Sequence, residues 1–211
     1  MKDLDQLLIP IDGFHIIVRK SVYQPSDDTY LLYDVTKKLL LRRRRVAEIG
    51  CGAGLLTLLL AQNNIVLATD LNLEAVKCVL QNLKTNKLYL NADLICCDSL
   101  KPLRESKIFD CIFFNPPYIP TEVHEDIAWS GGNEGIEVTK KFILDSIKHL
   151  KRNGKIICVL STCMNLKKLY KFIDELGLKT IIKSKKKFFF EELYVAILER
   201  KNLYSNRANS G

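Results

Sequence analysis

Short apolar runs alternate with amphipathic stretches from residue 45 almost to the end of the 211-residue chain, and no other feature constrains the fold as tightly. A run that can be buried on both faces reads as a strand of a parallel sheet, and an amphipathic stretch between two such runs reads as the helix crossing back over it. Strand-like runs fall at 45–50, 65–70, 92–98, 109–115, 154–161, 179–187 and 191–200. Helical patterns fall at 55–62, 74–84, 135–150 and 166–176, the last stopped by Gly177. The final two strands are joined by a link too short for a crossover, so an antiparallel hairpin is expected there. Residues 1–44 read as an N-terminal segment, with a short strand around 14–18 and a helix over 28–41. Residues 45–203 form the main fold, within one structural domain, and 204–211 a flexible polar tail.

With 47% apolar and 27% charged residues the chain can bury a full core. Seven cysteines, an odd number, lie partly inside apolar runs such as LICCD and GKIICVL, which favours reduced core thiols over a disulfide scaffold. No cysteine spacing resembles a zinc site, so no metal is expected. No apolar stretch approaches the roughly 18 residues that span a bilayer, and a cytoplasmic protein with no membrane contact is expected. The net charge of +8 includes the clusters Arg42-Arg43-Arg44-Arg45 and Lys183-Ser184-Lys185-Lys186-Lys187. Such charge attracts nucleic acid weakly, and it equally describes a solvated surface.

The first strand of the main fold runs into Glu48-Ile49-Gly50-Cys51-Gly52-Ala53-Gly54, with a helix opening behind it. Glycines at such a turn let the backbone pass close to a ligand that a Cβ would exclude. The spacing is G-x-G-x-G rather than the G-x-G-x-x-G that seats a diphosphate, and the carboxylate of Glu48 beside it suits a cationic ligand. Asp70, twenty residues after Gly50, ends the second strand where a carboxylate accepts both ribose hydroxyls. Asp98 ends the third, placed to accept from an adenine amine, with Ser99 after it and Leu71 and Leu100 as candidates to sandwich the ring. Either aspartate alone could be a helix cap. Together with the glycine turn, carboxylates at three successive strand ends describe a site for an adenosine carrying positive charge, and S-adenosylmethionine fits better than a dinucleotide.

The fourth strand, FDCIFFNPPYIP, stops in Asn115-Pro116-Pro117-Tyr118. In an open α/β sheet ligands sit outside the carboxyl ends of the strands where the strand order reverses, and this strand belongs beside the first across that reversal. The prolines fix φ and remove two donors, leaving the Asn115 side-chain oxygen and the Pro116 carbonyl as rigid acceptors, with Tyr118 adding a flat face. Two acceptors can hold both hydrogens of a planar NH2 group and aim its delocalised lone pair at a methyl carbon.

The glycine turn together with Asn115-Pro116-Pro117-Tyr118 resembles the class I methyltransferases that modify planar nitrogens, among them the HemK-like glutamine methyltransferases. Val22-Tyr23-Gln24-Pro25-Ser26-Asp27-Asp28-Thr29-Tyr30-Leu31-Leu32 is similar to the "Y-x-P-x-(E/D)-D-T-x-L-L" opening of the eukaryotic and archaeal release-factor branch. Trp129-Ser130-Gly131-Gly132-Asn133-Glu134-Gly135 looks like its "W-x-G-G-x-x-G" loop.

The resemblance implies a Rossmann-like sheet of seven strands in the order 3-2-1-4-5-7-6, strand 7 antiparallel, with helices on both faces. It implies N5 methylation of the glutamine in a Gly-Gly-Gln loop of a class I release factor. Thr29, Glu48, Gly50, Cys51, Gly52, Gly54, Asp70, Leu71, Asp98, Ser99, Leu100 and Asn115 would contact the cofactor. Asn115, Pro116 and Tyr118 would serve catalysis, and Tyr23, Pro25 and Pro117 would join them against the substrate. A small zinc-binding activator would complete a heterodimer by adding a strand at the sheet edge, where residues 87–95 offer an apolar run. A methyltransferase acting on adenine N6 or guanine N2 of RNA or DNA uses the same amine-gripping chemistry and stays open, though the chain has no separate nucleic-acid module. A noncatalytic partner that kept the fold is the remaining class.

Overall fold

The computed structural model describes residues 6–121 and 131–201. Trp129 and Ser130 of the glycine-rich loop, and the expected tail, lie outside the described residues.

An antiparallel hairpin of β1 (Gln6–Ile11) and β2 (Phe14–Arg19) opens the described chain. The sequence pattern pointed to β2 alone. Pro10 lies inside β1 and argues against a strand, but among the described residues β1 pairs only with β2, so the missing donor is tolerated on its free edge. Helix α1 (Asp27–Lys38) follows, with Asp27 and Asp28 in its first turn and Lys37 and Lys38 in its last, each favourable to the helix dipole. It ends short of the expected Leu41 because Leu40 turns to φ 48°.

The main sheet comprises β3 (Arg45–Ile49), β4 (Ile65–Asp70), β5 (Ala92–Cys96), β6 (Phe109–Phe114), β7 (Leu150–Ser161), β8 (Leu178–Lys187) and β9 (Glu192–Arg200). Their order is β5-β4-β3-β6-β7-β9-β8, with β9 antiparallel to both neighbours, which is the expected topology. Helices α2 (Leu55–Ala61) and α3 (Leu73–Thr85) follow β3 and β4; α4 (Glu137–His149) and α5 (Leu166–Glu175) flank β7. The pleat sorts β6 between two cores. Cys111 and Phe113 pack into the cluster built with α1, α2 and α3, while Ile112 and Phe114 pack into the one built with α4 and α5. Burial on both faces explains why this strand reads as a nearly continuous apolar run.

Three further boundaries differ from the sequence pattern by two residues or more. β5 stops at Cys96, two residues before Asp98. Helix α4 starts at Glu137 because Gly135 is held in a left-handed turn, and β7 begins at Leu150, where its partner is Phe109 across a bulge.

The N-terminal hairpin is fastened to α3 by two asparagines one turn apart. Asn82 accepts from the Ile17 amide at 2.8 Å and donates to the Ile17 carbonyl at 2.8 Å and the Ala53 carbonyl at 2.9 Å. Asn86 exchanges a matching pair of 3.0 Å bonds with His15. Asn82, fully buried, thereby ties the N-terminal segment to the glycine turn.

Candidate active site

The strand order reverses between β3 and β6, and a cavity of about 620 Å3 opens outside their carboxyl ends. Ser21, Tyr23, Pro25, Asp28, Thr29 and Leu32 line it from the N-terminal segment, and the whole turn from Glu48 to Gly54 lines it from β3. Asp70, Leu71, Asp98 and Ser99 contribute from the ends of β4 and β5, and Asn115 to Ile119 from the end of β6. Helix α4 adds Val138, Lys141 and Phe142.

Gly54 caps α2 at φ 86°, and a Cβ there would stand 2.9 Å from the Val79 side chain, so this glycine sets how closely α3 approaches the turn. The Gly52 amide donates to Asp70 Oδ2 at 2.9 Å, and the Asn72 amide donates to Asp70 Oδ1 at 2.9 Å. Asp70 is not the cap of α3; Asn72 is, accepting from the Glu74 amide at 2.9 Å. Asp70 is thus held facing the cavity, and each oxygen retains acceptor capacity for a hydroxyl. Burial raises its carboxyl above the ordinary value, against the pull of the backbone amides.

Glu48 departs from the sequence expectation. It is buried behind the turn, accepts from the Thr57 hydroxyl, and burial pushes its carboxyl up to about 8, with Asp70 adding to the shift. With no cation beside it, Glu48 holds its proton at neutral pH; the carboxylate that the sequence suggested requires a positive ligand.

At the other end of the cavity Asp98 is part of a charge cluster. Lys141 Nζ lies 2.6 and 2.7 Å from its two oxygens and Lys101 Nζ 2.7 Å from one. Burial works to raise Asp98, but the two ammonium groups together hold its carboxyl below the usual range. Ser99, at φ 56°, is buried, and its hydroxyl has no hydrogen-bond partner among the described residues. Leu71, 59% exposed, lines the cavity as expected of one flank of a ring. Leu100 does not. It is fully buried in the α4–α5 core with Ala47, Ile49 and Phe114, because the chain turns inward after Ser99. The apolar lining from α4 comes from Val138 and Phe142, which the sequence did not single out.

The decisive observation concerns Asn115. Its Oδ1 is buried against the cavity and has no hydrogen-bond partner among the described residues. An orphaned buried acceptor costs about 1–3 kcal/mol and is kept where a ligand supplies the donor. Pro116 is buried and Pro117 half-buried beside it. The backbone here is clamped by the glycine loop: the Gly131 amide donates to the Ile119 carbonyl at 2.9 Å and the Thr121 amide to the Gly132 carbonyl at 3.1 Å. A Cβ on Gly131 would stand 2.9 Å from Tyr118 Cα.

Asp28, buried on α1, was missed as a site residue. It accepts from the Tyr23 hydroxyl at 2.8 Å and from the Thr29 amide at 2.5 Å and hydroxyl at 3.1 Å. Burial and the nearby Asp28 raise both Tyr23 and Tyr118 well above the ordinary phenol value, so both stay protonated donors. The Tyr-x-Pro-x-x-Asp-Thr spacing at 23–29 was the available signal.

Glycine turn, ribose-type carboxylate, uncompensated acidic group and orphaned amide oxygen fit S-adenosylmethionine, and the fold with this rim defines a class I methyltransferase dependent on that cofactor. The family described as the methyltransferase small domain matches residues 26–190. A Methanocaldococcus jannaschii protein assigned by name to the protein N5-glutamine methyltransferases is 32% identical over 90% of this chain and 97% of its own. Mouse methyltransferase HEMK2 is 29% identical over 76% of this chain and 81% of its own. Among solved structures, the E. cuniculi Mtq2–Trm112 complex, described as responsible for methylation of the eRF1 translation termination factor, superposes with a TM-score of 0.67 at 26% identity, over 85% of this chain and 99% of that one. The chain belongs to the methyltransferase small domain family, among its protein N5-glutamine methyltransferases.

Proposed function

We propose that the protein methylates N5 of the glutamine side chain in the Gly-Gly-Gln loop of a class I peptide chain release factor. S-adenosylmethionine, when bound, supplies a methyl group activated by its sulfonium. The residues of this chain do the rest by holding and orienting. Asp70 takes the ribose hydroxyls, Asp98 the adenine amine, and the glycine turn with Glu48 accommodates the cationic end; Thr29 closes over them from α1. Cys51, Gly50 and Gly52 present backbone close to the ligand.

Asn115 Oδ1 is the observation that carries the reading. With the Pro116 carbonyl it accepts the two hydrogens of the substrate amide, which aims the nitrogen lone pair and favours its pyramidal form. Tyr118 and Tyr23 flank the amide, and Pro25 and Pro117 limit where it enters. The nitrogen needs no strong base at the outset, since it becomes acidic only as the bond to carbon forms.

A small zinc-binding activator is the expected partner. Among the described residues β5 is an edge strand paired only with β4, and Leu90, 83% exposed, lies just before it with half-exposed Tyr89. This edge supports strand addition, as does the complexed state of the E. cuniculi relative. The basic clusters support a weaker contact with polyanions. Arg44 and Lys183, from separate clusters, line one cleft with Lys151, Arg152 and Lys155. That cleft lies at the start of β6, about 16 Å from Asn115 at 3.3 Å per residue, so it is poorly placed to deliver a base to the amide-gripping site.

The test is transfer of labelled methyl, with and without the activator, to a Gly-Gly-Gln termination factor or to total RNA. Label enters the factor and is lost with Asn115→Ala, while that variant still binds cofactor. Label entering only RNA overturns the assignment.

A further inference from the structure

The hairpin joining β8 to β9 ends in an apolar tip that neither the fold nor the transfer chemistry uses. Phe189 is 93% and Phe190 90% exposed, more than any other large apolar residue described. Their rings meet edge to face, 4.7 Å between centroids, and Phe188 beside them packs against the core under Lys186 Nζ. The turn is closed without them, by the Phe188 amide donating to the Glu191 carbonyl at 2.7 Å. A loop of this length is ordinarily served by Gly, Asn or Asp, and two fully exposed phenylalanines gain it no stability.

The position of the tip is what gives it meaning. β9 runs antiparallel to β7 with Leu193 opposite Ser161, so the tip stands at the carboxyl end of β7, on the same rim as the cavity. It is fixed there on two sides. The Ser161 hydroxyl donates to Glu191 Oε2 at 2.6 Å, and Lys186 Nζ donates to Asp27 Oδ1 at 2.7 Å in the first turn of α1. In the sheet β7 separates β9 from β6, so the base of the tip stands one strand over from the turn that carries the amide-binding face. Rigid aromatic pairs of this kind are the usual anchors of protein interfaces.

Resting on the reading of a protein amide as substrate, we propose that Phe189 and Phe190 are a docking wedge for the folded protein that carries the target glutamine. Its complement is an apolar hollow edged by charges of both signs, because Lys187 stands on one side of the wedge and Glu191 on the other. Seating the hollow on the wedge holds the body of the substrate while its loop reaches Asn115, so the wedge acts on capture and leaves the transfer step alone.

The test compares wild type with the double variant Phe189→Ser/Phe190→Ser, activator present, on a full-length Gly-Gly-Gln termination factor and on a short peptide carrying the same tripeptide. Both side chains are outside the core, so the variant folds, and cofactor affinity verifies it. For the factor, KM rises about tenfold, the loss of one interface anchor, with kcat within twofold. Peptide kinetics do not change. An unchanged KM for the factor, with wild type active, overturns the wedge and leaves the glutamine assignment standing; a wild type that methylates neither substrate overturns the assignment and the wedge with it. An exposed Phe pair beside lysines also suits a membrane surface. Wild-type sedimentation with phosphatidylcholine–phosphatidylserine vesicles, lost in the double variant while KM for the factor stays the same, overturns the proposal in favour of lipid.

Discussion

The carbonyl oxygen of Tyr118 lies 2.5 Å from where a Cβ on Gly135 would stand, and Gly135 is itself at φ 70°. Neither the space nor the backbone conformation admits a side chain, so the glycine loop and the acceptor turn can pack only one way.

Gly135→Ala therefore pushes Tyr118 and the turn before it away from the cavity. A displacement near 1 Å costs on the order of a hundredfold in kcat. The cofactor carboxylates stand on other strands, so affinity for S-adenosylmethionine stays within about twofold of wild type by calorimetry. Loss of both together would mean that the clamp supports the whole cavity.

Glu48 makes stability depend on pH in an unusual sense. Its carboxyl is raised from 4.5 to about 8 in the fold. Between those values the folded chain holds a proton that the unfolded chain has lost, so stability falls as pH rises through this window, on the order of 1 kcal/mol per pH unit from this group. Glu48→Gln removes that slope in thermal melts between pH 5 and 8. A cationic ligand favours the ionised form, so cofactor binding below pH 8 releases protons and tightens as pH rises. Calorimetry in two buffers of different ionisation enthalpy detects the release, and Glu48→Gln abolishes it.

Asn82→Ala takes the side-chain partner from the Ile17 amide and the Ala53 carbonyl and leaves the Ile17 carbonyl with only the Cys78 thiol. The expected loss is about 3 kcal/mol in denaturant unfolding, more than for a typical surface change. Because the same side chain joins β2 to the glycine turn, cofactor affinity falls as well. Asn86→Ala, at an exposed pair of bonds, has the smaller effect on both.

Leu90→Asp tests the sheet edge. The side chain is 83% exposed, so the isolated protein keeps its melting temperature. Co-purification with the proposed activator falls, on the order of tenfold in affinity for a buried anchor. An unaltered complex places the activator elsewhere.

How much of this could be read from the chain depends on whether a residue's role is local. The strands were legible because burial on both faces leaves continuous apolar runs, as at Phe109–Phe114, and the order of the sheet followed from the family resemblance. Asp70, Asp98 and Asn115 stand where strand ends place them, next to the cavity. β1 was not legible, because Pro10 is acceptable only on an edge that no periodicity marks. Leu100 was misplaced because a turn of the chain after Ser99, invisible in apolar spacing, carries it into the core. Asp28, Lys141 and Phe142 reach the site from helices distant in sequence, and nothing local marks which face of a helix will meet a cavity. The raised pKa of Glu48 was not legible for a related reason: a sequence displays a carboxyl group but not the depth at which it is buried.

The reversal of strand order between β3 and β6 also divides labour within the molecule. Most of what is expected to recognise the nucleoside stands on one side of that seam, and most of what is expected to select the recipient stands on the other, on the loop after β6 and the tip before β9, with Tyr23, Pro25 and Thr29 added from the N-terminal segment. A lineage can therefore exchange its clients by rewriting two surface loops, while the donor half is inherited untouched.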